Sequence, residues 1–193
     1  MYNNQLICYY SDSRDFVAHS QKLVHQRTSD LINWGPIVDD EANPNRSERP
    51  GMTTVSRMGN GQYFMTYENI GTQVYFKIAA DPTKFAASVG QPLKDTNGRI
   101  PTSSPVNVWT RIGSNQGTLV VSANSDSDLL LNRNYGVGPW TRLSSQGGSA
   151  YSRGLQVGFN PKDILIINAG RLNGGATNKV TSSARDVNGC GSC

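Results

Sequence analysis

Arg49-Pro50-Gly51-Met52-Thr53-Thr54-Val55, then Met58-Gly59-Asn60-Gly61, then Gln62-Tyr63-Phe64-Met65-Thr66-Tyr67-Glu68, reads as two strands joined by a tight turn. Asn-Gly between apolar runs signals a hairpin, because both central positions tolerate positive φ. The strands are Gly51 to Arg57 and Gln62 to Tyr67, and a single carboxylate, Glu68, stands at the end of the second. A carboxylate closing an aromatic strand is either a surface cap or a group aimed into a site.

The surrounding 193 residues are 36% hydrophobic and only 17% charged, with 20 Gly. That composition, with short β-branched and aromatic runs broken by Gly, Asn, Asp and Pro, predicts an all-β chain rich in turns. No long window shows an apolar period near 3.6, so helices are not expected. The net charge of +4 is spread over single basic residues, which argues against a nucleic-acid surface. No run of about 18 apolar residues suggests a membrane span. Met1-Tyr2-Asn3-Asn4 leads straight into a strand, so no signal peptide is read. His19 and His25 have no carboxylate spacing around them that would make a metal site, and no cofactor motif is present. Cys8, mid-strand in Leu6-Ile7-Cys8-Tyr9-Tyr10, is expected to be a buried, inert thiol. Cys190 and Cys193 end the chain and are expected to form a local disulfide or a loose tail. Asn45-Arg46-Ser47 is a glycosylation sequon in a polar loop, compatible with secretion.

The opening hairpin recurs. Gln5–Tyr10, Gln62–Tyr67, Thr118–Ala123 and Asp163–Asn168 align as equivalent strands. An extended segment precedes three of them, starting at Arg49, Ser104 and Ser152. A further strand and a turn carrying an acid or amide and then an aromatic follow: Asp30 to Trp34, Asp81 to Phe85, Asn134 to Trp140. The acid or amide bonds backbone N–H groups and the aromatic is expected to plug the gap between sheets, which gives these residues structural roles. The turn loosely resembles an Asp-box. Repeats of this kind predict a β-propeller. The expected units are an incomplete blade over 1–40, blades over 49–90 and 101–143, a last blade over 150–187 and a tail over 188–193. That is about three and a half blades, fewer than the ~4–8 of a closed ring.

Inner strands of a propeller converge on one axis, so equivalent positions ring one site. The starts of the inner strands contribute Arg49, Ser104, Tyr151 and Arg153; the ends of the second strands contribute Asp12, Glu68, Asn124 and Asn168. Hydroxyls, amides, carboxylates and two arginines suit a hydroxyl-rich ligand such as a sugar. Each also has a structural reading: rim ion pairs for Arg49 and Arg153, a core aromatic for Tyr151, a strand cap for Glu68, a polar turn for Asp12.

Several stretches together resemble the fungal exo-arabinanases of glycoside hydrolase family 93. They are Tyr9-Tyr10-Ser11-Asp12-Ser13-Arg14-Asp15, His19 to Gln26, Asn33-Trp34-Gly35-Pro36, Arg49 to Val55, Met65-Thr66-Tyr67-Glu68, Gly138-Pro139-Trp140 and Ala150-Tyr151-Ser152-Arg153. The resemblance covers nearly the whole chain but only the C-terminal half or so of such an enzyme. It implies part of a six-bladed sialidase-like propeller, a secreted glycosidase, and an arabinan or related plant cell-wall polysaccharide as partner. It also implies release of arabinobiose with retention, which needs two carboxyls ~5–5.5 Å apart. Glu68 matches the nucleophile, with acid/base as its fallback role. Tyr151 is implied to hydrogen-bond it and Arg49 to shape the sugar site, with Asp12, Ser104, Asn124 and Arg153 as further binding residues. Arg49 precedes Glu68 by 19 residues; the same step back from Asp12 lands ahead of Met1, where the second carboxylate is expected. The chain is therefore expected to be a truncated and inactive enzyme. Two rivals remain: a carbohydrate-binding propeller piece without turnover, and a sialidase using Arg49, Arg111 and Arg153. Open propeller edges are also expected to favour self-association.

Overall fold

The computed structural model describes residues 1–147, 150–170 and 179–188; Cys190 and Cys193 lie outside them. Among the described residues, fourteen strands form four antiparallel sheets. The first holds β1 (Leu6–Asp12), β2 (Lys22–Thr28) and β3 (Val38–Glu41). The second holds β4 (Gly51–Arg57), β5 (Tyr63–Glu68), β6 (Val74–Ala79) and the short β7 (Gln91–Pro92). The third holds β8 (Val106–Thr110), β9 (Thr118–Ser122), β10 (Asp128–Asn132) and β11 (Thr141–Ser144). The fourth holds β12 (Arg153–Val157), β13 (Asp163–Asn168) and β14 (Thr181–Asp186). Strands follow chain order within each sheet, and the first strands β4, β8 and β12 abut one another in series, with β1 beside β4. This is the arrangement of successive propeller blades around an axis, and the chain is a partial β-propeller.

The apolar runs now have a reason. A blade between two others is covered on both faces, so its strands are continuously apolar rather than alternating. In β9, Leu119 and Val121 pack towards the second sheet with Phe64, Phe76 and Trp140. The intervening Val120 faces Leu155, Ile164 and Ile166 of the fourth. In β5, Phe64 joins the first of these cores, while Met65 and Tyr67 turn to Leu23 and Phe85 against the first sheet.

Polar ties cross the same interfaces. The buried Asn107 amide donates to Thr54 O (2.9 Å), Thr54 Oγ1 (2.8 Å) and Thr66 Oγ1 (2.8 Å). Lys77 Nζ, buried between the first two sheets, binds Glu41 at 2.6 Å and donates to the carbonyls of Asp40 and Phe85. Beside it, the His25 ring lies 3.0 Å from the Asp40 carboxylate, and burial pushes Asp40 above its ordinary range.

Three expectations need correction. Cys8 is exposed, not buried. Leu6 and Cys8 share the face of β1 on which no other sheet packs among the described residues, whereas Tyr9 turns the other way onto Phe85. Trp34 is 42% exposed, while Phe85 and Trp140 are fully buried. Only the latter two have a neighbouring sheet to plug against. The amide that organises the third turn is Asn132, not Asn134: its Oδ1 accepts from the N–H groups of Asn134 and Gly136 at 2.9 Å. Asp30 and Asp81 behave as expected, accepting from backbone N–H groups two and three residues on or two on.

Among the described residues, no strand pairs with β1 on its inner side. A groove of about 570 Å³ separates it from β4, walled by Leu6, Tyr9, Thr53, Val55 and Tyr63 among others. In the second and third sheets the equivalent position holds β4 and β8.

Unequal burial of the repeated aromatics predicts unequal costs of truncation. Trp140→Ala should destabilise the fold by ~3–5 kcal/mol and Trp34→Ala by under ~1 kcal/mol. Urea denaturation midpoints at constant m-value check both; equal losses would show that the first blade is covered after all.

Candidate functional site

Antiparallel pairing puts Glu68, the last residue of β5, opposite Gly51, the first of β4. Its carboxylate is buried, at 8% exposure. Oε1 accepts from the Ser103 hydroxyl at 2.9 Å and, closely, from the Ser104 backbone N–H. Oε2 has no hydrogen-bond partner among the described residues, so one oxygen is fixed and the other is unbonded.

The clamp that does this is a crossing between blades. Residues 101–105 lead from the second sheet into β8. Ser103 N–H donates to Thr72 O (2.8 Å) and Val74 N–H to Pro101 O (2.9 Å), which braces the segment on the second sheet. On the other side, Asn124 N–H donates to Ser103 O (2.9 Å) and Thr102 N–H to Ser125 Oγ (2.8 Å). Ser103 and Ser104 both have left-handed backbones, with φ of 64° and 44°. For side-chain-bearing residues each such conformation costs ~1–3 kcal/mol and persists only where surroundings impose it.

β4 carries a matching irregularity. Its ladder with β5 breaks between Gly51 and Thr54, and Met52 has a φ of 50°. This is a bulge, which re-aims the residues it contains. A Cβ at Gly51 would lie 2.7 Å from the Gln21 amide nitrogen, which donates to Pro50 O, so a side chain there would displace the Gln21 amide.

The starts of β4, β8 and β12 and the inner side of β1 enclose a cavity of about 290 Å³, lined by Ser11, Met52, Thr53, Ser104, Ser152 and Arg153 among others. Of the residues singled out from sequence, Ser104 and Arg153 therefore form its wall. Glu68 sits behind Ser104. Asn124 is half-buried and meets the clamp through its backbone. Arg49 is exposed, with no ion pair among the described residues. Tyr151 is half-buried, and the hydrogen bond to Glu68 implied by the resemblance is not formed; Ser103 and Ser104 supply the donors instead.

Arg153 is committed to the protein. It is buried, and its Nε, NH1 and NH2 donate at 2.8 Å to Asn168 Oδ1, Ala123 O and Asp126 O. It ties the fourth sheet to the third and faces the cavity as part of its wall. Asp12 is likewise engaged: Arg14 Nε and NH2 donate to Oδ1 and Oδ2, both at 2.8 Å. These bonds, with one from the Arg14 N–H, hold the Asp12 carboxyl down at about 2. On the same face Asp126 is paired with Arg142 at 2.6 Å. Glu48 accepts from the Asn43 amide. Among the described residues, no group of three or more His, Cys, Asp or Glu could hold a metal ion, and no helix is long and apolar enough to cross a membrane.

Sequence reasoning missed Ser103 and Thr53. The closely spaced Pro101 and Pro105 hinted at a constrained crossing around Ser103 and Ser104. Nothing in the strand Gly51 to Arg57 announced the bulge at Thr53.

No protein-family profile matches the chain, and no curated sequence does. Among solved structures, an α-L-arabinanase of Penicillium chrysogenum complexed with arabinobiose is similar at a TM-score of 0.92 and 38% identity. The match covers 97% of this chain and 56% of that one. The family 93 α-L-arabinofuranosidase of Fusarium graminearum, also complexed with arabinobiose, matches at a TM-score of 0.92 and 35% identity over the same shares. The chain thus spans little more than half the length of these relatives. An exo-β-1,3-galactanase of Clostridium thermocellum, at 14% identity and a TM-score of 0.64, shares the fold alone.

The Asp12–Arg14 pair makes a pH prediction. A carboxyl lowered from 3.8 to about 2 on folding stabilises fully above about pH 4, and the stabilisation is lost as pH falls through about 2. With the Arg14 side chain 65% exposed, screening leaves about 1 kcal/mol. Unfolding free energies of the wild type and Asp12→Asn should therefore differ by that amount at pH 6 and converge towards pH 2.

Proposed function

We propose that this chain, which belongs to glycoside hydrolase family 93, forms part of an arabinan-degrading site in which Glu68 is the nucleophile of a retaining mechanism. The observation that carries this is the asymmetric hold on Glu68, one oxygen bonded by Ser103 and Ser104 and the other unpartnered at the converging ends of the inner strands. A nucleophilic carboxylate needs that arrangement: a fixed orientation and one oxygen free to meet the anomeric carbon. In the first step Oε2 bonds to the anomeric carbon as the glycosidic oxygen leaves with a proton from a second carboxyl. In the next, water releases the sugar. In this reading Arg49 and Asn124 bind sugar hydroxyls and Tyr151 assists Glu68. The product is arabinobiose, the sugar with which both family relatives were solved.

The second carboxyl comes from outside the described residues. Asp12, Asp126 and Glu48 are already held by Arg14, Arg142 and Asn43, and Asp15 lies 3.6 Å from Lys22 Nζ. That favours a second reading for the chain by itself: a carbohydrate-binding propeller piece. The commitment of Arg153 to carbonyls disfavours a sialidase, which would need it for a substrate carboxylate. A cell-wall polysaccharide as ligand implies work outside the cell. The open edge of β1 would support self-association, readable as a concentration-dependent mass in solution.

The test is linear α-1,5-arabinan with product analysis, alongside binding titrations with arabinotriose. The expected outcome is binding by both wild type and Glu68→Gln. Arabinobiose release should lie ~10²–10⁴-fold below that of a site with both carboxyls and vanish in Glu68→Gln. Binding with no product from either protein would establish the second reading; no binding at all, or cleavage of a sialyl reporter, would overturn both.

A further inference from the structure

One motif of the chain has no part in the site described above. Asn45-Arg46-Ser47 is the only Asn-x-Ser/Thr triplet in the 193 residues, and its middle residue is not proline. A triplet of this kind arises easily by chance. It becomes a site only where the folded surface can carry a bulky, hydrated oligosaccharide on the asparagine.

The surface around Asn45 meets that condition. The triplet lies in residues 42–50, the connection from β3 to β4, and all three of its residues are exposed. The Asn45 amide is oriented. Its Oδ1 accepts from the Ser47 hydroxyl at 2.9 Å and from the Ser47 N–H at 3.2 Å, so its carbonyl side is engaged by the turn. Its Nδ2 makes one long bond, to Glu48 Oε1 at 3.4 Å. A glycosylated amide keeps one N–H and can keep that bond.

The loop itself is braced. Glu48 N–H donates to Asn45 O (2.9 Å) and Arg46 NH1 to Val17 O (3.2 Å), with the Arg46 guanidinium 4.3 Å from the Phe16 ring centroid. A group attached at Asn45 therefore projects from a fixed point and displaces no packed side chain. Asn45 does not line the central cavity. The loop also has a weakness: Arg46 and Arg49 are both exposed, and exposed loops are where proteases nick a folded chain. A cut at either residue would sever the link between the first two sheets just ahead of Pro50, whose carbonyl holds the Gln21 amide.

We propose that Asn45 is an N-glycosylation site whose glycan shields the β3–β4 connection from proteolysis. Asn45 Nδ2 bonds to the anomeric carbon of an oligosaccharide carried on a polyprenyl diphosphate; Nδ2 gives up one proton and the diphosphate leaves. The proposal rests on the extracellular reading above for the compartment, and on the exposed, oriented amide for the site. It is independent of Glu68 and of arabinan.

The test expresses the full chain in yeast behind a secretory leader and recovers it from both medium and cell extract. Intact mass and peptide masses are read before and after endoglycosidase H. The wild type should carry one oligosaccharide, trimmed by the enzyme to a single N-acetylhexosamine on the peptide that holds Asn45. Asn45→Gln and Ser47→Ala should lose it entirely, and Ser47→Thr should keep it. A wild type of bare polypeptide mass, or a glycan that survives in Asn45→Gln, would overturn the site. The folded wild type is then exposed to trypsin with and without prior deglycosylation. Cleavage at Arg46 and Arg49 should be slower with the glycan in place; equal rates would overturn the shield. Because the leader is supplied, a bare product counts against the site alone, whereas the extracellular reading fails only if the chain is found inside its own cells.

Discussion

Face-to-face packing of one sheet on the next governs this molecule. The second and third sheets are apolar on both sides, so neither could stay out of water alone. Phe64 and Trp140 fill one interface, Leu131 and Ile164 the next. Where a neighbouring sheet is lacking, the pattern lapses at once. Leu6 and Cys8 come to the surface, and the Trp34 that would plug a gap has no gap to fill. Burial here is a property of pairs of blades, which is why it changes at the first and fourth sheets, where Leu6 and Cys8, and Leu165 and Ile167 of β13, are exposed.

The site inherits its geometry from that packing. Antiparallel sheets fanning from an axis bring their inner ends together, and there the cores give way to polar crossings. The Ser103–Ser104 segment and the Arg153 guanidinium are two such crossings. One runs from the second sheet to the third, the other from the fourth back to the third. Each is braced at both ends, so the strained backbone at Ser103 and Ser104 is held by two blades at once. The first of these crossings also holds one oxygen of Glu68, and Ser104, which bonds it, lines the cavity.

Much of this was legible in the chain. Each blade is a meander of neighbouring strands, so the Asn-Gly hairpin, the repeat and the acid-to-aromatic turns are local signals. Glu68 could be singled out because its counterpart in the next repeat is Asn124, so the scaffold itself requires no carboxylate there. What could not be read was set by contacts between distant residues. Cys8 looked buried because its strand resembles a core strand, and exposure depended on the absence of a covering sheet. Asn134 stood at the expected step, but Asn132 reached the N–H groups because the turn is longer. The donors to Glu68, Ser103 and Ser104, come from a crossing between blades rather than from Tyr151 as the resemblance implied, and strand spacing does not show which donor arrives. Thr53 was invisible because a bulge of this kind shows only in the pairing of two strands.

That bulge has a consequence for how such a site can change over generations. Met52 and Thr53 stand outside the β4–β5 ladder, whose pairing resumes at Thr54 and Thr66. The Thr54–Thr66 contact, joined to Asn107 of the next blade, carries the inter-blade register independently of its two unpaired neighbours. Positions 52 and 53 are thus mechanically insulated: mutation there alters what the cavity touches while the ladder and the blade contact stay as they are. A propeller built this way can change the lining of its cavity at a pair of residues without passing through a misfolded intermediate sequence.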